Sequence, residues 1–173
     1  MYKICKTPKS EARQKEFQDT LLKLLKKQKM KDITIVSLCH EMGISRKTFY
    51  QYFDTIEDVL YIIIDQELRS AFLLLEYEPE VVNFFTFWIE HKELLDMLHR
   101  NEMSDVLVDR AYNFINVYQD SNYSMQTMKY AGWISAIITV IVLWHRSGMR
   151  QSPEEMQELI FGMFHLKESK YDV

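Results

Sequence analysis

Two cysteines, four glycines and three prolines are all that 173 residues contain of the types that staple or break a chain. Cys5 and Cys39 form no Cys-x-x-Cys pair and have no paired histidines beside them, which excludes a disulfide scaffold and a zinc-finger arrangement and fits a reducing compartment. So few Gly and Pro argue against turn-dense all-β architectures and predict helices along the whole chain. There is no Gly-rich phosphate loop and no Gly-x-Ser-x-Gly elbow, so no catalytic residue, cofactor or enzymatic activity is expected. The opening stretch MYKICKTPKS lacks an apolar core and a small-residue cleavage site, and does not read as a signal peptide. The most apolar run, 131–144, is about fourteen residues, short of the roughly twenty that a bilayer requires. A cytoplasmic location is the expectation, and neither internal repeats nor low-complexity stretches complicate it.

What is present in quantity is charge, unevenly placed. The net charge of −4 conceals two opposite halves. Residues 1–53 hold twelve Lys or Arg against five Asp or Glu, a net +7, whereas residues 54–173 hold nine against twenty, a net −11. A basic N-terminal module is what a polyanion such as DNA attracts, and an acidic remainder repels it.

Hydrophobic spacing divides the chain into helices. Phe17, Leu21, Leu24 and Leu25 form one buried stripe of a first helix over 10–30. Thr34 is placed to cap a short second helix whose Ile35, Leu38, Cys39 and Met42 face one way. Gly43 stands where that helix should end in a left-handed residue, Ile44 is an apolar plug, and Ser45 can cap a third helix, SRKTFYQ. Thr55 and Asp58 have the spacing of a capping box ahead of a long helix with Leu60, Ile64, Leu68, Ala71 and Leu75 on one face. Pro79 should punctuate it. Beyond lie one amphipathic helix over 80–100, another over 104–120, a loop at 121–124, an apolar helix over 125–145, and a last helix begun by Pro153 and its acids. The expectation is an all-α chain of about eight or nine helices: a three-helix module at 1–54 and a helical domain at 55–173.

The strongest functional signal is the segment GISRKTFYQYF, residues 43–53. A capped short helix, a glycine turn, an apolar plug, a second cap and a helix with a cationic outer face together make a helix-turn-helix. Phe49 and Phe53, four apart, share the inner face. In the major groove Arg46 or Lys47 can donate to guanine and Gln51 can pair with adenine. Ser45, Thr48 and Tyr50 suit phosphate contacts, which position the helix without reading sequence. A helical hairpin that merely packs is the competing reading, and the surrounding +7 argues against it.

The run ITIVSLCHEMGISRKTFYQYFDTIEDVL, residues 33–60, resembles the DNA-binding signature of the TetR family of bacterial transcriptional regulators. There a threonine-started helix leads through Gly-Val/Ile-Ser to a Thr-aromatic-Tyr-x-x-Phe helix. The resemblance implies a homodimer whose N-terminal helices bind operator DNA and whose later helices bind an effector and form the dimer. It assigns Thr34, Ser45, Arg46, Lys47, Thr48 and Tyr50 to DNA and Phe49 and Phe53 to the core. Ile56 departs from it, standing where the family usually has a lysine that contacts phosphate. The segment AGWISAIITVIVLWHRSGMRQSPEEMQELIFGMF is similar in outline to the last two helices of such regulators, which implies a four-helix dimer bundle.

Residue spacing adds to this at two places. Gly132, Ala136 and Val140 follow at four-residue intervals, a small-residue face that a partner helix could approach closely. Phe84, Phe87, Trp88, His91 and Leu95 can share a helical face and wall a pocket for an apolar effector, ordinary core being the plainer reading. His91 and His99 with Glu90, Asp96 and Glu102 lack tight ligand spacing and read as a solvated acidic face, so no metal is expected. Operator repression relieved by an effector is the default mechanism. An activator, or a protein-binding member of the same fold without a small ligand, would carry the same signature.

Overall fold

Each expected cap finds its partner in the three-dimensional structure, a computed structural model that describes residues 2, 3, 5, 7–77, 81–118 and 124–165. Among these residues it has nine α-helices and no strand. The chain divides into two compact units, 1–67 and 68–173.

The first unit opens with α1 (Pro8–Leu25), which starts two residues earlier than its apolar stripe suggests. Thr7 accepts the Ser10 N–H while the Ser10 hydroxyl bonds back to Thr7, and Pro8 fills the first turn, where no amide donor is needed. The helix stops at Leu25 rather than continuing through the lysines, and a single 3₁₀ turn (Met30–Asp32) carries the chain to α2 (Ile35–Met42). Thr34 and Ser37 form a second reciprocal cap there. After the turn come α3 (Arg46–Phe49) and then α4 (Ile56–Tyr77). At the start of α4, Thr55 Oγ1 accepts the Asp58 N–H at 3.3 Å and the Asp58 carboxylate accepts the Thr55 and Asp54 N–H groups, each at 3.1 Å. Residues 56–67 of α4 belong to the first unit and the rest to the second.

An aromatic cluster fills the first unit. Phe17, Phe49 and Phe53 are fully buried, and the Phe17 ring lies 5.6 Å from Phe49, 5.3 Å from Phe53 and 5.6 Å from Tyr52. Leu21, Leu25, Met30, Ile33, Leu38 and Cys39, with Val59, Leu60 and Ile64 of α4, are also buried in this unit, and Ile44 is half-buried.

The second unit contains α5 (Val81–Glu90), α6 (Lys92–Arg100), α7 (Ser104–Tyr118), α8 (Met125–Arg146) and α9 (Pro153–His165). The sequence pattern reads α5 and α6 as one helix, but the chain breaks at His91 (φ −97°, ψ 21°). The buried stripe runs on across the break, from Trp88 to Leu95, so periodicity alone does not reveal it. Helix α5 packs on α9, and α8 packs on α6 and α7. Buried Ile134, Ile137, Ile138, Ile141 and Trp144 give α8 a continuous inner face. Taken as a helix rather than as an uninterrupted run, Met128–Arg146 is long and apolar enough to cross a membrane, and 39% of it is buried within the protein. The expected punctuation at Pro79 and the expected loop, Ser124 excepted, fall outside the described residues.

Candidate nucleic-acid interface

Helix α2 ends by backbone geometry that only glycine adopts cheaply. Gly43 sits at φ 64°, ψ 33°, its N–H bonds the His40 carbonyl at 3.1 Å, and the Ile44 N–H reaches back to the Cys39 carbonyl at 3.0 Å. This pair of bonds reverses the chain within two residues and satisfies carbonyls that the helix end would leave bare. No atom lies within 4 Å of where a Cβ would stand, so the demand for glycine comes from the backbone angle alone.

The turn delivers Ser45 in extended conformation, and its hydroxyl accepts the Thr48 N–H at 3.2 Å to start α3. That helix is one turn long, shorter than the sequence suggests. The chain continues from Tyr50 in tighter turns, with the Gln51 N–H on the Thr48 carbonyl and the Tyr52 N–H on the Phe49 carbonyl. No breaker residue marks the change.

Phe49 and Phe53 fix the orientation of this segment by facing inward, and the polar residues are therefore turned out. Ser45, Arg46, Lys47 and Gln51 are exposed, Tyr50 is 48% exposed and Thr48 is half-buried. Thr34 is exposed at the start of α2. All seven residues read from the sequence as DNA contacts thus lie in the first unit. Three of them also build the fold: Thr34 and Ser45 are caps, and the Ser45 and Thr48 hydroxyls lie 3.0 Å apart. Two hydroxyls carry two protons and their mutual bond uses one, so one donor remains for a phosphate oxygen.

Within the unit, the surroundings shift several titratable groups. The Lys23 ammonium bonds Glu41 at 2.6 Å, and that hydrogen bond, with the lysine's charge, holds the Glu41 carboxyl below the usual carboxylate range. Burial pushes the Cys39 thiol up against the opposing charge of Arg46, which leaves it protonated and unreactive. At Asp58 burial works against ionisation, and the hydrogen-bond donors gathered round the carboxylate, the Thr55 and Asp54 amides among them, outweigh it and hold the group low. A carboxylate held low stabilises the fold above the ordinary pKa of about 4, and that contribution is lost as pH falls through its own lower value. Asp58→Asn is therefore expected to cost about 1 kcal/mol at pH 7, and the gap from wild type should narrow in urea titrations repeated below pH 4. A constant gap would show that the charge contributes nothing.

Of the residues read as a pocket wall, Phe84, Phe87, Trp88 and His91 line neither the crevice nor the groove of the second unit. Phe84 and Trp88 are fully buried among rings, with Phe84 stacked on Phe72 at 6.2 Å and edge-on to Phe85 at 5.9 Å. Phe87 and His91 are half-buried and stacked on each other at 3.9 Å. Leu95 borders a separate crevice with Leu98, Ser104, Leu107, Val142 and His145 that leaves no room for a water molecule. The roomier feature is an open groove of about 510 Å³ between α8 and α9, lined by Val140, Leu143, Trp144, Ser147, Gln151, Glu155, Met156 and Leu159. Val140 of the small-residue face is among them. The indole N–H groups of Trp88 and Trp144 are buried without a hydrogen-bond partner among the described residues. His99 lies beside His145, which is buried and bonds Asp96 at 2.7 Å, whereas His91 lies against Phe87. Among the described residues no three side chains gather to hold a metal ion.

Sequence reasoning missed Tyr2, Lys3 and Gln14: Lys3 bonds the Tyr50 and Tyr52 carbonyls just after α3, Gln14 on α1 bonds the Lys3 carbonyl, and Tyr2 bonds Asp65 on α4. Their bonds span long sequence separations and have no periodicity to betray them. No protein-family model matches the chain, and a search of curated proteins finds no match either.

Proposed function

We propose that this chain is a DNA-binding transcriptional regulator of the TetR type that binds a palindromic operator as a homodimer and represses by occluding it. The observation that carries the reading is the helix-turn-helix: Arg46, Lys47, Tyr50 and Gln51 turned outward by buried Phe49 and Phe53, in a module of net +7. Thr34, Ser45 and Thr48 would contact the backbone, and the two helices of a dimer would enter major grooves about 34 Å apart. The regulator acts in the cytoplasm, on the DNA there.

Support for the dimer comes from α8 and α9. Gly132 is exposed, Ala136 and Val140 are half-buried, Leu143 is 57% exposed, and Leu159, Phe161 and Met163 are exposed on α9. That much uncovered apolar side chain fits a protein surface that is covered in the assembled state. Support for an apolar effector is the open groove of about 510 Å³ beside Trp144, whose buried indole N–H has no hydrogen-bond partner among the described residues. Its binding would shift the population of dimers away from the spacing that fits DNA.

Selection of bound fragments from genomic DNA tests this reading. Enrichment of a palindrome whose affinity falls steeply with salt is the expected result, and retention of random fragments only would sink it. Sedimentation of Ala136→Trp should give monomers, while an unchanged dimer mass would move the interface elsewhere. A tight protein partner captured by the acidic unit, with no palindrome enriched, would favour the protein-binding alternative.

A further inference from the structure

We propose that Lys3, seated by Tyr2 and Gln14, forms a clamp on the turns that end α3 and so sets how faithfully Arg46, Lys47 and Gln51 are presented; the DNA part of this inference rests on the regulatory reading above. A helix of four residues cannot hold itself, because nucleating one turn fixes several dihedrals for a single hydrogen bond and leaves the last carbonyls bare. Ser45 secures its beginning. At its end the Thr48 and Phe49 carbonyls are taken by the Gln51, Tyr52 and Phe53 amides of the tighter turns, and the carbonyls those turns themselves present, Tyr50 and Tyr52, are met by Lys3, 47 residues from Tyr50 in sequence. The Lys3 ammonium donates to the Tyr50 carbonyl at 2.6 Å, and the Lys3 backbone N–H donates to the Tyr52 carbonyl at 3.0 Å. A cation at the carbonyl end of a helix also complements its dipole.

Lys3 is itself held in place. Its carbonyl accepts the side-chain amide of Gln14 at 3.0 Å, and Gln14, on α1, is only 6% exposed. The Tyr2 hydroxyl donates to Asp65 on α4. Four hydrogen bonds thus tie residues 2 and 3 to α1, to the end of α3 and to α4, all within the first unit. Counted from the sequence, Lys3 is one more cation of the basic module; in the structure its ammonium serves a backbone carbonyl, which makes it a positioning residue.

Hydrogen exchange of the full-length chain and competition binding together test the clamp, using Lys3→Met, Lys3→Arg and Gln14→Met. Gln14→Met keeps volume and charge and removes only the anchor. The expected result is roughly tenfold faster exchange at the Tyr50–Phe53 amides in Lys3→Met and Gln14→Met, the equivalent of one lost hydrogen bond, with the α1 amides unchanged and Lys3→Arg close to wild type. On DNA, both disruptive variants should lose affinity for the selected palindrome but not for random duplex, and Gln14→Met should leave the salt slope unchanged. Unchanged exchange at residues 50–53 overturns the clamp. So does a Lys3→Met variant that loses equally on both duplexes with its salt slope reduced by about one, since that marks a phosphate contact. Faster exchange supports the clamp whether or not duplex binds, whereas a wild-type chain that binds no palindrome overturns the regulatory reading alone.

Discussion

Replacing Phe17 by alanine is expected to destabilise the first unit by about 3–5 kcal/mol, the usual cost of emptying a fully buried aromatic site. Phe17 is the ring through which α1 meets the end of the helix-turn-helix: it touches Phe49, Tyr52 and Phe53, with centroids 5.3 to 5.6 Å away. Its loss removes apolar area and three ring contacts at once, and a domain of this size has only about 5–15 kcal/mol in total. Phe17→Leu keeps most of the area and forfeits the edge-on geometry, so a loss nearer 1 kcal/mol is expected. The measurement must look at the right unit. Trp88, Trp133 and Trp144 all lie beyond residue 67, so tryptophan fluorescence reports the second unit and is blind to the first. Hydrogen exchange of the α1 and α2 amides, or far-ultraviolet dichroism in urea, reports the first. Full protection of those amides in Phe17→Ala would show that the ring cluster is not what holds the module.

Local chemistry was the most legible part of this fold. Thr34, Gly43, Ser45 and the Thr55 and Asp58 pair act on amides and carbonyls within four residues of themselves, so their spacing announces them. The start of α1 escaped because its cap, Thr7, stands ten residues ahead of Phe17, the first residue of the apolar stripe, so the stripe does not reach it. The break at His91 escaped for a different reason, since an apolar stripe can stay in phase across a kink. Periodicity identifies Phe84, Trp88 and Leu95 as inward-facing, but it cannot say whether that face meets other side chains or a cavity, and it meets side chains. Long-range polar ties, such as Lys3 to Tyr50 and Asp96 to His145, leave no local trace because the partners stand 47 and 49 residues apart in sequence.

If α3 reads bases, Arg46→Ala should weaken the selected operator by about 1–3 kcal/mol, roughly 5- to 150-fold, and change random duplex much less. The position invites this test because Arg46 is exposed at the first residue of α3, immediately after the cap that fixes the helix start, so its truncation removes the guanidinium without disturbing a core contact. Tyr50→Phe is the companion experiment. It keeps the ring, which lies edge-on to Phe49 at 5.6 Å, and deletes only the hydroxyl. A phosphate-binding hydroxyl carries no base information, so its loss should weaken operator and random duplex by the same factor. Gln51→Ala should behave like Arg46→Ala but at adenine positions, shifting the selected sequence at one base pair of each half-site. Competition anisotropy over a range of salt separates these outcomes, because a lost phosphate cation lowers the salt slope and a lost base contact does not. Equal weakening of both duplexes by Arg46→Ala, together with a lower slope, would assign Arg46 to the backbone and leave Lys47 as the guanine reader.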